Sequence, residues 1–185
     1  MRVTPTRIAD VLVIEPKVFS DSRGFFLETY HAPRYQQYGI AAEFVQDNYS
    51  FSCRHTLRGL HYQLKHPQGK LVQVLEGEVV DVAVDIRRGS PTFGQWVSET
   101  LSEANHRQLY VPPGFAHGFC VASERARVIY KCTEVYRPDD EYGVLWSDTT
   151  LAIDWPLSAP LLSAKDAAFS PLSLIDPRLL PVYDG

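Results

Sequence analysis

Cysteine is scarce in this 185-residue chain, which contains Cys53, Cys120 and Cys132 and no others. Neither Cys53 nor Cys132 lies near a second cysteine at the spacing of a metal-ligand pair. An odd, sparse set of cysteines in strand-like surroundings is typical of buried free thiols in a reducing compartment. We therefore expect a cytoplasmic protein.

Long apolar runs are also missing, since no stretch approaches the roughly 18–20 residues that a transmembrane helix needs. The first residues, Met1 to Pro5, lack the apolar stretch of a secretion signal. Repeats, low-complexity tracts and linkers are absent as well. With 45% hydrophobic and 22% charged residues, the composition is typical of a globular protein. We expect one domain over residues 1–185 and no association with a membrane.

The chain also lacks an excess of basic residues, since its formal net charge is −4. Long nucleic acids require a broad basic surface, so a nucleic-acid partner is not expected. A small anionic ligand stays compatible with this charge, because a few cations in one pocket suffice to bind it; Arg23, Arg58 and Lys70 could form such a cluster. The Gly-x-Gly-x-x-Gly fingerprint is absent too, and no nicotinamide or flavin cofactor is expected.

Short β-rich segments separated by turn residues make up most of the chain. The clearest alternation, Val80 to Ile86, places valines on one face and carboxylates on the other. Many short strands at even spacing predict an all-β sandwich or jelly-roll barrel. The predicted strands are residues 11–14, 24–30, 44–50, 57–63, 70–75, 78–86, 96–101, 108–111, 115–122, 127–136 and 143–146.

Helical segments are few and short. Residues 33–38, followed by Gly39, predict one short helix. From Ser163 onward we expect helical turns that Pro171, Pro177 and Pro181 interrupt.

Two segments each combine a histidine with strand residues that lie between two glycines, residues 57–77 with His61 and residues 112–119 with His117. They resemble the halves of the cupin signature, in which two histidines and a glutamate, and then a further histidine, bind a metal. Here Gln63 stands at the second histidine position and Lys70 at the glutamate position. A cation cannot ligate a cation, and a divalent metal needs three or four suitable donors. The resemblance implies a cupin-type jelly-roll barrel with a few short peripheral helices, and the substitutions argue against a metal.

Four residues could carry chemistry in such a barrel. His61 is a candidate base because imidazole titrates near neutral pH, or it could be a core or surface histidine bonded to a backbone group. Lys70 could be a solvated surface lysine, or could lie inside the barrel and stabilise negative charge on a substrate oxygen, as a metal would. Tyr130 could donate a proton across the cavity, or could simply be a core residue. Asp166 could cap a helix after Ser163, or could fold back to orient His61.

Other polar residues suit nucleotide binding. Alternation places Gln46 and Asn48 on one face of a strand and Asp47 on the other. Amides on an inward face suit a diphosphate or sugar hydroxyls. Arg23 and Glu28 flank a stretch with two phenylalanines, which could grip a nucleotide or could form an amphipathic edge strand. Tyr136 is expected at the end of a strand, where its ring could stack on a base or could pack against a neighbouring strand.

Five ordered motifs are spread over about residues 3–170, at residues 23–26, 46–48, 57–61, 113–119 and 163–167. Together they resemble the dTDP-4-dehydrorhamnose 3,5-epimerase family. It implies a homodimeric, metal-free cupin that acts on a dTDP-linked 4-keto-6-deoxyhexose and inverts C3 and C5. Relatives with tyrosine at the position of Val135 exist, which leaves the stacking of the base open.

The same resemblance implies a role for each matching residue. His61 would be the base and Asp166 its partner, Lys70 would stabilise the enolate oxygen, and Tyr130 would return a proton from the opposite face. The substrate would contact Arg23, Glu28, Gln46, Asp47, Asn48, Arg58, His117, Tyr136, Glu141 and Lys165, with Asp81 a further pocket carboxylate. The segment from Arg23 to Glu28 would reach in from the partner subunit.

Three other functions compete with this interpretation. A metal-dependent cupin is disfavoured by Gln63 and Lys70. A sugar-nucleotide-binding module without catalysis is disfavoured by the pairing of His61 with Asp166, because binding does not require an oriented base. An epimerase that inverts one carbon would use the same residues and stays the main alternative.

Overall fold

Two antiparallel sheets form the body of the computed structural model, which describes residues 1–184. Thirteen strands are present within these residues. They are β1 (Arg2–Pro5), β2 (Leu12–Glu15), β3 (Val18–Asp21), β4 (Gly24–Leu27), β5 (Gln46–Cys53), β6 (Leu57–Gln63), β7 (Lys70–Glu76), β8 (Glu78–Asp85), β9 (Trp96–Ser102), β10 (Gln108–Val111), β11 (Phe115–Val121), β12 (Arg125–Cys132) and β13 (Glu141–Gly143).

The strand order identifies a jelly-roll sandwich with short helices at its edges. One sheet has six strands in the order β1-β2-β10-β7-β12-β5, the other has five in the order β13-β6-β11-β8-β9, and β3 and β4 form a separate hairpin. The helices are α1 (Ala32–Gln36), α2 (Ala164–Ala167) and the 3₁₀ turns Pro138–Asp140, Leu172–Leu174 and Pro177–Leu179. The predicted cupin-type, all-β fold is confirmed.

The main core lies between the two sheets, and the period of two along each strand decides which side chains enter it. On β7, Val72 and Val74 point inward, whereas Leu71 packs outward against residues near α1. By the same alternation, Lys70 points inward. On β6, Leu60 packs outward beneath the C-terminal segment, so its neighbour His61 points inward.

Strand β8 is buried on both faces. Val82 and Val84 pack against the C-terminal segment, while Val79 and Ala83 belong to the core between the sheets. The carboxylate of Asp81 therefore lies in the barrel interior and is fully buried. The alternation predicted for residues 80–86 is therefore present, and the face that carries the carboxylates points into the barrel.

Several predicted boundaries are wrong. The strand predicted over residues 127–136 ends at Cys132, because the neighbouring strands β5 and β7 begin at the residues that pair with Cys132. Tyr136 consequently lies in the following loop and is not at a strand end. The strand predicted over residues 24–30 ends at Leu27, the one predicted over 143–146 is Glu141–Gly143, and β1 and β3 were not predicted.

Candidate active site

A cavity of about 410 Å³ opens between the two sheets at one end of the barrel. Its walls come from β6 and β11 on one sheet, from β5, β7 and β12 on the other, and from the segments that carry β13 and α2. The lining residues are Ser50, Arg58, His61, Lys70, His117, Phe119, Tyr130, Tyr136, Glu141, Ser163, Lys165 and Asp166.

His61 and Asp166 form a hydrogen-bonded pair in this cavity. The Nε2 atom of His61 lies 2.7 Å from Oδ1 of Asp166, which is buried. Burial raises the pKa of Asp166, but the hydrogen bond and charge of His61 and the amide of Gly59 hold this pKa below its ordinary value on balance. The carboxylate therefore stays ionised at neutral pH and fixes one face of the imidazole.

Helix α2 explains how Asp166 reaches this position. Ser163 caps the helix, since its hydroxyl accepts a hydrogen bond of 3.1 Å from the backbone nitrogen of Asp166. The cap bond engages the backbone nitrogen of Asp166, while its carboxylate is hydrogen-bonded to His61. Asp166 therefore lies in the capped first turn of α2 and also contacts His61, as the two interpretations of the sequence predicted. Its catalytic role stays a prediction.

Lys70 begins β7, is 8% exposed as a residue, and lines the cavity. Its backbone pairs with Cys132 on β12 and with Val111 on β10, which fixes the direction of its side chain. Among residues 1–184, no salt bridge or hydrogen bond engages the ammonium group. Burial lowers the pKa of Lys70, and nearby acidic groups, Glu141 among them, oppose that shift. A poorly compensated cation of this kind is suited to stabilise a developing oxyanion.

Tyr130 lies on β12, in the sheet that faces His61 across the cavity. Burial is the main cause of a raised pKa for the Tyr130 phenol. The phenol is therefore protonated at neutral pH and can act as a proton donor. The base candidate and the acid candidate thus stand on opposite sheets.

Glu141 gathers the remaining polar groups on the open side of the cavity. Its Oε2 accepts hydrogen bonds from the Tyr136 hydroxyl at 2.7 Å and from Lys165 Nζ at 2.6 Å. The hydrogen bond to Glu141 is the main cause that raises the pKa of Tyr136 to about 12. The other carboxylate oxygen of Glu141, Oε1, lies 3.9 Å from Nδ1 of His61.

A second imidazole–carboxylate pair lies deeper in the barrel. His117 Nε2 is 2.8 Å from Oδ1 of Asp81, and its backbone pairs with His61 across β6 and β11. Within the described residues, Oδ2 of Asp81 has no hydrogen-bond partner. Arg58 is oriented by Ser52, because its Nε donates to that hydroxyl at 3.0 Å.

Five of the ten predicted substrate-contacting residues do not line the cavity, and neither does Asp81, which was expected as a pocket carboxylate. Arg23 lies on the exposed β3–β4 hairpin with Asp21, and Glu28 pairs with Arg34. The remaining three belong to β5, namely Gln46, Asp47 and Asn48. Gln46 accepts a hydrogen bond from the backbone nitrogen of Tyr136, Asn48 donates to Cys132, and Asp47 pairs with Lys131 on the outer face.

The cavity also contains residues that we did not predict as site residues. Ser50 follows Gln46 and Asn48 at a period of two, and this alternation could have identified it. Its hydroxyl is buried and, within the described residues, unpartnered. Phe119 follows His117 at the same period. Phe169 is not a lining residue but packs edge-on against the His61 ring, with 5.7 Å between ring centroids, and nothing in the local sequence pattern indicates that contact.

The groups that a cupin metal would require are not gathered in residues 1–184, where no three His, Cys, Asp or Glu side chains form a cluster suited to an ion. Gln63 is committed to the backbone, since its amide donates to His66 and Val135 and its oxygen accepts from Arg137. Over the same residues, every helix is too short or too polar to cross a lipid bilayer.

Known proteins match this chain along most of its length. A family model described as dTDP-4-dehydrorhamnose 3,5-epimerase matches residues 5–173. The dTDP-4-dehydrorhamnose 3,5-epimerase of Pseudomonas aeruginosa is 55% identical over 168 residues, which cover 90% of this chain and 93% of that protein.

Two solved structures are similar over nearly the whole fold. The dTDP-6-deoxy-D-glucose-3,5-epimerase of Legionella pneumophila, in complex with dTDP-4-keto-L-rhamnose, has a TM-score of 0.97 and 54% identity, and the match covers 100% of this chain and 99% of that one. A 3'-monoepimerase from Streptomyces bikiniensis, in complex with dTDP-quinovose, has a TM-score of 0.91 and 32% identity over 97% of this chain and 92% of that one. This chain therefore belongs to the dTDP-4-dehydrorhamnose 3,5-epimerase family.

Proposed function

We propose that this protein epimerises dTDP-4-dehydro-6-deoxy-D-glucose at C3 and C5 to give dTDP-4-dehydro-L-rhamnose, in the biosynthesis of dTDP-L-rhamnose. The observation that carries the proposal is the arrangement of His61 with Asp166 on one wall of the cavity and of Lys70 and Tyr130 on the facing sheet. Inversion next to a ketone needs a base, a cation for the oxyanion and an acid on the other face, and these residues supply all three.

The reaction at each carbon follows from these positions. His61 takes the proton from the carbon next to the C4 ketone, and the electron pair of the broken C–H bond moves into an enolate. Lys70 stabilises the charge on the enolate oxygen. Tyr130 then delivers its phenolic proton to the opposite face of the same carbon, which inverts the centre. Asp166 holds the imidazole and stabilises its protonated form.

The nucleotide is bound away from the reacting carbons. Arg58 and His117 contact the substrate from inside the cavity, Tyr136 stacks on the nucleotide, and Glu141 and Lys165 bind at the open side. Gln46, Asp47 and Asn48 bind the nucleotide and diphosphate beside this entrance. Binding energy from the nucleotide orients the sugar ring over His61.

The substrate site is completed by a second copy of the chain in a homodimer. The β3–β4 hairpin carries Arg23 and exposes Phe25 by 61% and Phe26 by 69%. Two exposed phenylalanines on an isolated two-stranded hairpin favour burial against a partner. Arg23 and Glu28 would then bind the nucleotide of the neighbouring subunit. Cys120 and Cys132 are buried as expected, whereas Cys53 is exposed; three free thiols suit the reducing cytoplasm as the location.

The proposal is tested by incubating the purified protein with dTDP-4-keto-6-deoxyglucose in heavy water and following each carbon by NMR. We expect deuterium at both C3 and C5, before and after treatment with a chelator. Deuterium at C3 alone would identify a single-carbon epimerase. No deuterium at either carbon in a folded protein, or activity that a divalent metal restores after chelation, would contradict the proposal.

A further inference from the structure

Each ring nitrogen of His61 faces a carboxylate. Nε2 is 2.7 Å from Asp166, which is a hydrogen bond, and Nδ1 is 3.9 Å from Oε1 of Glu141, which is longer than one. A small rotation of Glu141, or one bridging water, would complete the second contact. Because Asp166 occupies Nε2, Nδ1 is the nitrogen available to take a proton from substrate.

Glu141 is held so that one of its oxygens stays available. Oε2 accepts from both Tyr136 and Lys165, whereas Oε1 has no hydrogen bond among residues 1–184. The side chain of Lys165 is 51% exposed and Tyr136 is exposed as well, so this carboxylate stands between the imidazole and the solvent-facing entrance.

The proposed reaction requires that His61 be reset. In the first inversion a C–H bond breaks and an N–H bond forms on His61, while Tyr130 loses its proton to the carbon. His61 cannot take the second proton until the first has left, and Tyr130 must recover a proton from water. A group that accepts a proton beside Nδ1 would shorten this interval.

Given the proposed function, we propose that Glu141 takes the proton from His61 between the two inversions and passes it to solvent water. The N–H bond of the imidazolium breaks, an O–H bond forms at Oε1, and that bond then breaks to protonate a water molecule at the entrance. Burial raises the pKa of Glu141, but hydrogen bonds from Lys165 and Tyr136 keep it below its ordinary value on balance. The carboxylate is therefore an anion at neutral pH and holds the transferred proton only briefly.

The test compares Glu141→Gln with the wild type in heavy water, by rapid quenching and NMR at C3 and C5. We expect the first label to appear at a rate within about fivefold of the wild type and the second to be slowed about 100-fold, the low end of a proton-transfer contribution. Singly labelled sugar should accumulate, and added imidazole buffer should speed the second label. Asp139→Asn, which neutralises an exposed carboxylate two positions earlier, should keep the wild-type ratio of labels.

Three outcomes would overturn the inference. Equal slowing of both labels, or a raised KM with an unchanged ratio of labels, would make Glu141 a binding residue only. Wild-type rates for both labels in Glu141→Gln would show that Glu141 takes no part in the reaction. If Glu141→Gln does not fold, Glu141→Asp is measured in its place. Its carboxylate is retained but lies farther from His61, so the second label should be delayed relative to the wild type, by less than the roughly 100-fold expected for Glu141→Gln. Wild-type protein that takes up no label would instead defeat the proposed function itself.

Discussion

His61 and Asp166 are 105 positions apart in the chain, and their side chains meet at 2.7 Å. The contact joins the inner face of β6 to helix α2, which packs against that strand. A buried carboxylate on one imidazole nitrogen leaves the other nitrogen to act as the base.

Replacing Asp166 by asparagine should keep the fold and remove most of the activity. The helix cap uses the backbone nitrogen of Asp166 and is therefore retained. The amide cannot stabilise a protonated imidazole, so we expect kcat to fall about 10²–10⁴-fold with little change in KM. Steady-state kinetics and a thermal melt would measure this. Asp176→Asn is the matched control, because Asp176 is a partly exposed carboxylate that caps the turn Pro177–Leu179 away from the cavity. An equal loss there, or no loss at Asp166→Asn, would contradict the assignment.

Lys70 should give activity and stability opposite dependences on alkaline pH. Burial lowers its pKa from the ordinary value of 10.5, and the reaction needs the charged form. Activity should therefore fall as the pH rises through this lowered pKa, whereas stability should rise between it and 10.5, because the unfolded chain binds the extra proton. Kinetics and denaturant unfolding across this pH range would check both signs.

Two variants of Lys70 make that prediction specific. Lys70→Arg should move the alkaline loss of activity to higher pH, because guanidinium stays charged. Lys70→Met should lose about 100-fold or more in kcat and be at least as stable as the wild type at neutral pH, since it removes a buried cation that has no salt bridge among the described residues. If Lys70→Arg loses activity at the same alkaline pH as the wild type, or if Lys70→Met is active, the ammonium group is not the partner of the oxyanion.

The β3–β4 hairpin should control both assembly and nucleotide affinity. Phe25→Ser combined with Phe26→Ser removes the apolar surface that a second copy would cover. We expect sedimentation to show a shift from dimer to monomer and KM to rise about tenfold, equivalent to 1.4 kcal/mol. Leu174→Ser changes a residue that is 75% exposed elsewhere on the surface and should alter neither property. A wild type that sediments as a monomer would refute the dimer.

The sequence predicted strands well where alternation is strong. Strands β6 and β10 begin and end where they were expected, at Leu57–Gln63 and Gln108–Val111. The end of β12 was not predictable from its own residues, because it depends on where β5 and β7 begin. The same cause displaced Tyr136 from a strand end into a loop.

The site was predictable in part for the same physical reason. Period-two alternation places Lys70 on the same face as Val72 and Val74, and the position of Lys70 in the cupin signature indicates that this face is internal. The contact between His61 and Asp166 is different, because it joins a strand to a helix that is distant in the sequence. The residue pattern around either one gives no information about its contact with the other. There the resemblance of motifs supplied what periodicity could not.

The central claim is that a base on one sheet and an acid on the other invert the same carbon. It is tested most directly by solvent exchange in His61→Ala and Tyr130→Phe, with the keto sugar in heavy water. We expect His61→Ala to lose exchange by about 10²–10⁴-fold, because no group removes the proton. Tyr130→Phe should keep measurable exchange with retention of configuration while net inversion is lost. Equal and total loss of exchange in both folded variants would contradict the account.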